Sequence, residues 1–517
     1  MKRIGAMLFA LLLALSLGLS TPVAAAAEAQ DERPTVTIWW PYIWWGTQMN
    51  DMNDNLVYQW VEDQLGINIE FITPNAGTES VEFNLLLASD ELPDILFVEP
   101  WYFNGGFPGA LSDGIILDLA PYLEAYSPNY YGYVQSEKYG KDLVDDEGRV
   151  LAYECLMDGP LFKGSGPAIL KRAADALGLS DRKLETIDEW DAVLYELKAI
   201  QEEMGWEYII GSTDPRVLLT MGLGVSPLGS YTGHYVKMDD EIVSSVIIDD
   251  YKVYLSYLNK WYKDGIIDPS YQTRDEQEIS ALELQQKVPV VIEYWDNLGR
   301  YIPQGVEFTP FPWPVKEEGG KLLYYHIDDH IMGWAKAAIN ASSDNIEAAM
   351  KVMDFGYTKE GSEAYEFGTQ TGASRLNEEG KYVMTDEYIA ENAGGQNGTS
   401  WLKTLVLGIY LRPEGWNDDG WRGRTEYEIN ALKQWAPDFP GERNFSWHTY
   451  FNDEEAAVIA KYESGLGTYV SESEAKFING ELDIEADWDH YVAQCEALGV
   501  HEIEACYQAA YDRYLAR

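Results

Sequence analysis

The chain has 517 residues, 46% hydrophobic and 13% aromatic, enough to bury one large or two medium cores, and its 18 Trp, 36 Tyr and 15 Phe exclude a disordered chain. The 37 Lys and Arg stand against 86 Asp and Glu, for a formal charge of −49. That field repels phosphate polymers and anionic membrane surfaces, so nucleic acid is not an expected partner.

Taken in chain order, Lys2 and Arg3 precede an apolar run from Ile4 to Leu19, then Pro22 and the small stretch Ala24–Ala27. This pattern predicts a secretory signal peptide over 1–27 and an extracellular destination. The run falls short of the ~20 residues of a membrane span, and no Cys stands near the cleavage region to carry a lipid anchor. Thr35 to Trp40 alternates as a strand, and Gln48 to Leu65 has helical spacing with Gly66 placed as a C-cap. Ile67 to Phe71 alternates again. Glu79 to Ala88 reads as a helix with Leu85, Leu86 and Ala88 on its apolar side, and Asp94 to Val98 as a buried strand after Pro93. This βαβαβ order predicts a mainly parallel sheet covered by helices.

Thr186-Ile187-Asp188-Glu189 is a capping box opening a helix that carries Trp190, Val193, Leu194 and Leu197. Tyr251 to Tyr262 is amphipathic and ends on Gly265, Ile266 and Pro269, a Schellman-type stop. Val288 to Tyr294 is a strand, and Asp344 to Glu347 caps a helix through Phe355. Ala486 to Leu515 reads as two helices broken at Gly499. The Pro-rich segment Pro303 to Pro314 is the expected hinge. Cys155, Cys495 and Cys506 make no disulfide framework; Cys495 and Cys506 pair only if the chain turns at Gly499, and free buried thiols are the alternative.

Catalytic signatures are mostly missing: no G-x-S-x-G, no H-E-x-x-H, no P-loop. His326 and His330 flank Asp328 and Asp329 at a spacing that suits a metal on a helix, but the flanks read as strand, so a polar rim is expected and no metal. With 86 acidic residues, carboxylate pairs arise by chance, and glycosidase machinery cannot be argued from spacing. The aromatic clusters are more specific. Trp39-Trp40-Pro41-Tyr42 with Trp44 and Trp45 follows a strand's C-terminal end, where open α/β sheets place ligands, and four Trp in so short a stretch are hard to bury. Flat rings in a cleft suit the apolar faces of sugars. Trp101, Trp295, Trp313, Trp416 and Trp421 lie in loop-like contexts near Glu99, Asp296, Glu414 and Asp418; each alone is more simply a packing residue.

Four segments together resemble the extracellular solute-binding proteins of ABC importers, family 1, and more closely the large oligosaccharide-binding lipoproteins of Gram-positive bacteria. They are Phe83–Ile95 (FNLLLASDELPDI), Gly114–Tyr122 (GIILDLAPY), Tyr257–Pro269 (YLNKWYKDGIIDP), and Phe477–Gly480 with Trp488, Asp489, Tyr491 and Tyr511–Tyr514. The resemblance implies an α/β, two-lobed periplasmic-binding-protein-like fold (type II), with lobe I over 34–150 and 316–365 and lobe II over 151–315 and 366–517. It implies a monomer that closes on an oligosaccharide and delivers it to ABC permease subunits, without a cofactor or catalytic residues. By position, Trp40, Trp101, Glu154, Trp295 and Trp416 would face the cleft; the residue-level reading adds Trp44, Trp45, Glu99, Asp296 and Glu414. Some alginate-binding relatives hold calcium in the loop before the capping box, but only Asp188 and Glu189 match here, and a helix start accounts for both. The readings from other classes are a secreted glycoside hydrolase and a peptide or cation binder. The charge balance favours a neutral sugar, since a uronate chain calls for Arg forks.

Overall fold

The computed structural model describes residues 33–41, 51–75, 77–89, 91–158, 164–212, 214–226, 234–324, 330–391, 406, 408–416, 424–435, 441–446 and 448–517. The expected signal peptide, His326, Trp44, Trp45 and Trp421 lie outside them.

Two sheets organise two lobes. The first has six strands in the order Leu411–Arg412, Tyr153–Met157, Ile331–Ile339, Ile95–Val98, Thr35–Trp39, Asn68–Ile72. Thr35–Trp39 runs parallel to both neighbours, as the βαβαβ pattern predicts. Ile331–Ile339 runs antiparallel to both of its own neighbours, because it re-enters from the other lobe instead of through a covering helix. Alternation buries both faces: Ile95 and Phe97 join Val36 and Ile38 on one side, while Leu96 and Val98 join Trp39, Phe83 and Phe107 on the other. The second sheet has four strands, Phe308–Pro310, Ser165–Leu170, Val290–Tyr294 and Ile210–Gly211, of which only the last pair is parallel. Its core takes in Trp190, Trp261 and the helices Asp453–Asn479 and Val500–Ala516 through Leu466, Phe477 and Ile503.

Local chemistry explains most boundaries. Asn55 accepts hydrogen bonds from the Val57 and Tyr58 amides, so the first α-helix starts at Leu56 rather than near Gln48, after a short 3-10 turn. Thr186 and Glu189 form the predicted capping box. At the end of Asp249–Lys263, Gly265 has φ +67°, the Ile266 amide reaches Trp261 O at 2.8 Å and the Gly265 amide reaches Tyr262 O at 3.1 Å, which is the Schellman pattern. Asn345 precedes the helix Ile346–Phe355 without a side-chain cap bond; its amide group is turned toward Thr35 O instead. Leu85 is exposed, and Phe83 carries the burial of its helix. Cys155, Cys495 and Cys506 are all free and buried.

Three expectations about lobe boundaries change. Tyr153–Met157 and Leu411–Arg412 belong to the first sheet, beyond the expected limits of lobe I. Residues before Tyr324 still pack on the second lobe, where the Leu323 amide bonds Met221 O at 2.9 Å. The Pro-rich segment is therefore not the hinge. Phe308–Pro310 is the edge of the second sheet, where a missing N–H is tolerated, and Phe311 and Trp313 are buried in that lobe. The chain passes between sheets after Met157, between Tyr324 and Ile331, and again after Arg412.

Candidate functional site

The parallel strands of the first sheet end together, with Ile331–Ile339 entering at that same edge, so one rim gathers Trp40, Glu99, Trp101, Glu154, Lys336 and Trp416. Open α/β sheets place ligands at such a rim. Beside it lies a cavity of about 1050 Å³, within the size range of small-molecule sites. One wall is Trp101 to Gly109; the other is Tyr450, Phe451 and the start of Asp453–Asn479. Lys336 reaches it from the sheet.

Trp101 lies in a 3-10 turn that follows the strand Ile95–Val98 and is 64% exposed. The chain then turns through Gly105 and Gly106 at φ +73° and +65°, a region that favours glycine, and so folds back along the wall. On the opposite wall, Ala456, Ala457 and Ala460 present small side chains that leave the space open. That wall was missed in the sequence; alanines at helical spacing after the Asn452 capping box are the signal that marks it.

Lys336 is buried and ion-paired with Glu154, with the Tyr450 hydroxyl 3.5 Å from its ammonium. Burial opposes the charge on Lys336, but the Glu154 carboxylate, with Tyr450, outweighs it and holds the ammonium above its ordinary value. Glu154 does not face the cleft as expected: it is buried beneath Lys336, and its backbone carbonyl accepts from the Tyr357 hydroxyl at 2.6 Å. Trp40 is also corrected. It is 3% exposed and packs edge-on against Phe71 and Phe97, centroids 5.9 and 5.0 Å away, as part of the core. Trp416 is buried, with the Arg412 guanidinium 5.2 Å from its ring, while Arg412 pairs with Glu366 at 2.7 Å. Glu414 is exposed beside it. Trp313 donates its ring N–H to Ser165 O at 3.3 Å from a buried position.

Glu99 is half-buried, and burial, followed by the Glu79 charge, pushes its carboxyl up to about 7. On the second lobe, Trp295 opens the helix Trp295–Tyr301 at the end of Val290–Tyr294. Its amide donates to Gly164 O at 2.8 Å and the Arg424 guanidinium lies 4.7 Å from its ring centroid, so it is neither a bare platform nor a core residue. Tyr294 beside it is exposed. The side chain of Asp296, like Trp44 and Trp45, lies outside the described residues. His330 is 2.9 Å from Asp142, a polar rim contact. Asp188 accepts from the Tyr257 hydroxyl and Glu189 closes the capping box. Among the described residues no group of three or more His, Cys, Asp or Glu is arranged to hold a metal, and no helix is long and apolar enough to cross a membrane.

Residues 46–363 match the family described as bacterial extracellular solute-binding protein. None of the curated proteins matches the chain. Among solved structures, the chain is similar to an "HMO binding" ABC-transporter-associated solute-binding protein from Bifidobacterium longum infantis, at 17% identity and TM-score 0.75, covering 93% of this chain and 99% of that one. It is similar to an EF-hand mutant of the FusA substrate-binding protein of S. pneumoniae in complex with fructo-nystose, at 18% identity and TM-score 0.70, over 94% and 100%. The alginate-binding protein AlgQ2 without calcium ion also aligns, at 18% identity and TM-score 0.70, over 93% and 98%. All three share the fold over nearly the whole chain.

Proposed function

This chain belongs to the bacterial extracellular solute-binding proteins, and from that premise we propose that it captures a neutral oligosaccharide between its lobes and passes it to ABC permease subunits. The observation that carries the reading is Trp101, a ring 64% exposed on the wall of a cavity large enough for several sugar units. A Trp face stacks on the apolar face of a sugar, while Asn104, Thr449 and Asp453 on the same walls offer partners for hydroxyls. Trp295 and Tyr294 supply aromatic surface from the second lobe, so closing the lobes would sandwich the ligand. A neutral ligand is favoured because Lys336, the cation among the described residues that line the cavity, already has its charge met by Glu154, and the chain as a whole carries −49. The sugar-binding descriptions of the FusA and Bifidobacterium proteins agree with this assignment.

The test is calorimetry against a panel of neutral oligosaccharides, alginate and pectin fragments, with mass spectrometry of each mixture. Stoichiometric binding of a neutral glycan without new products is expected. Cleaved products would turn the reading to hydrolysis, and preferential uronate binding would overturn neutrality. With the best ligand, Trp101→Ala should lose ~2 kcal/mol, about 30-fold in Kd, at nearly unchanged stability. Scattering should show a smaller radius of gyration at constant monomer mass on saturation.

A further inference from the structure

One wall of the cavity belongs to the first lobe; the other joins Tyr450, which packs on that lobe, to the second lobe's helix Asp453–Asn479, and something must set the distance between them. The helix Val500–Ala516 packs on the second lobe through Val500 and Ile503, yet its far end reaches the first. There Arg513 donates to Asp146 at 2.7 Å and forks onto both oxygens of Glu455 at 2.6 Å. Arg517, just beyond the helix, donates to the other Asp146 oxygen at 2.8 Å and to Val144 O at 2.8 Å. Asp146 and Val144 adjoin Leu143 in the first lobe's core, whereas Glu455 stands in the helix whose next turn lines the cavity.

The same two guanidinium groups hold the connecting strand of chain between them. Arg513 donates to Tyr450 O at 2.9 Å, and Arg517 donates to His448 O at 3.0 Å with its guanidinium carbon 5.2 Å from the Tyr450 ring centroid. Tyr450 lines the cavity and brings its hydroxyl to Lys336. Tyr514 adds a bond to Asp142 at 2.7 Å on the same first-lobe segment. Planar, bidentate Arg–carboxylate contacts are among the most directional polar contacts a protein makes.

We infer that Arg513, Arg517 and Asp146 are positioning residues: a clasp that ties the second lobe's last helix to the first lobe, fixes the 448–451 connection, and so sets the spacing of the cavity walls. Arg513, Arg517 and Asp146 do not themselves line the cavity; they act through Tyr450, which does, and through Glu455. The inference concerns the cavity of the proposed function, but its test needs no ligand and so fails or stands separately from the identity of the sugar.

Dyes on Cys introduced at exposed Glu70, on the first sheet's edge, and exposed Glu276, on the second lobe, report the interlobe distance by single-molecule energy transfer; the three native thiols are buried and stay unlabelled. Asp146→Asn keeps the side chain's shape and removes its charge. In the unliganded protein it should broaden and shift the distance distribution. Arg513→Lys keeps the charge but loses the fork; it should show the same change to a lesser degree and serves if Asp146→Asn does not fold. Glu196→Gln, which breaks the exposed Arg182–Glu196 pair within the second lobe, should leave the distribution as it is. A distribution unchanged in the clasp variants, with or without a lower melting temperature, would reduce the clasp to local structure and overturn the inference.

Discussion

Two buried carboxylates, one in each lobe, differ in what lies opposite them. Glu154, in the first sheet, is ion-paired with the Lys336 ammonium; burial raises its carboxyl above the ordinary value, and Lys336 opposes that rise. Glu283, beneath the second lobe's Trp295–Tyr301 helix, is fully buried and accepts a 2.6 Å bond from the Tyr301 hydroxyl, with a second acid, Glu293, nearby. Among the described residues no cation offsets it there; burial first, and the Glu293 charge second, push its carboxyl up to about 9, so it stays protonated at neutral pH. The comparison teaches a division of vulnerability. The paired site is intolerant of losing a partner. The protonated site tolerates an uncharged substitute and is sensitive to pH.

The largest expected effect breaks the first half of that comparison. Lys336→Met leaves Glu154 buried without its counter-charge and should cost about 3–5 kcal/mol of stability, read from denaturant unfolding. Adding Glu154→Gln to it should restore part of the loss, because the stranded charge is gone. If the double variant is no more stable than the single one, the loss is one of packing and the ion pair is not the cause.

The next effect sharpens the second half. Glu283 has an ordinary value of 4.5 when unfolded and about 9 when folded. Between those values the folded protein holds a proton that the unfolded chain releases. Its stabilising contribution is therefore fully present below about 4.5 and drains away as the pH rises toward 9. Glu283→Gln should remove up to ~1.4 kcal/mol per pH unit of that slope, leaving the variant similar to wild type near the acid end and more stable at the alkaline end. Unfolding curves across the range check it; parallel slopes for both proteins would mean that Glu283 is already charged.

Neither partner arrangement was legible in the sequence, and the reason is distance along the chain. Lys336 and Glu154 are 182 residues apart, and nothing local to either announces the other. Short-range signals fared better: Gly66, Gly265 and the Thr186 box end or begin helices as expected, because each acts within a turn of backbone. Trp40 and Trp101 show the same limit at the site. Both follow first-sheet strands; Trp40 reads as part of a platform and Trp101, taken alone, as a packing residue, but the first turns into the core against Phe71 and Phe97 while the second stands in the cavity wall. Strand alternation tells that a side chain changes face, not which face a later helix will cover. Pro303 to Pro314 misled for a related reason, since proline suits a sheet edge as well as a linker.

The smallest effect asks whether Glu99 belongs with Glu154 or with Glu283. It lies on the first lobe's rim, where the paired pattern is the precedent, yet burial and the neighbouring Glu79 charge raise its carboxyl from 4.5 to about 7. The sign is that of Glu283: stability is present below about 4.5 and is lost as the pH climbs through about 7. The magnitude must be smaller, because the interval is shorter and Glu99 is only half-buried, where water screens its surroundings. Glu99→Gln should accordingly flatten the stability profile only on the acid side of neutrality and leave the alkaline slope to Glu283. Comparing the two single variants and their combination over the same pH series separates the contributions, since the sites lie in different lobes and their effects should add. A Glu99→Gln profile that is less stable than wild type throughout would show instead that this carboxylate is held charged by its surroundings, and would place the rim with the paired floor beneath it.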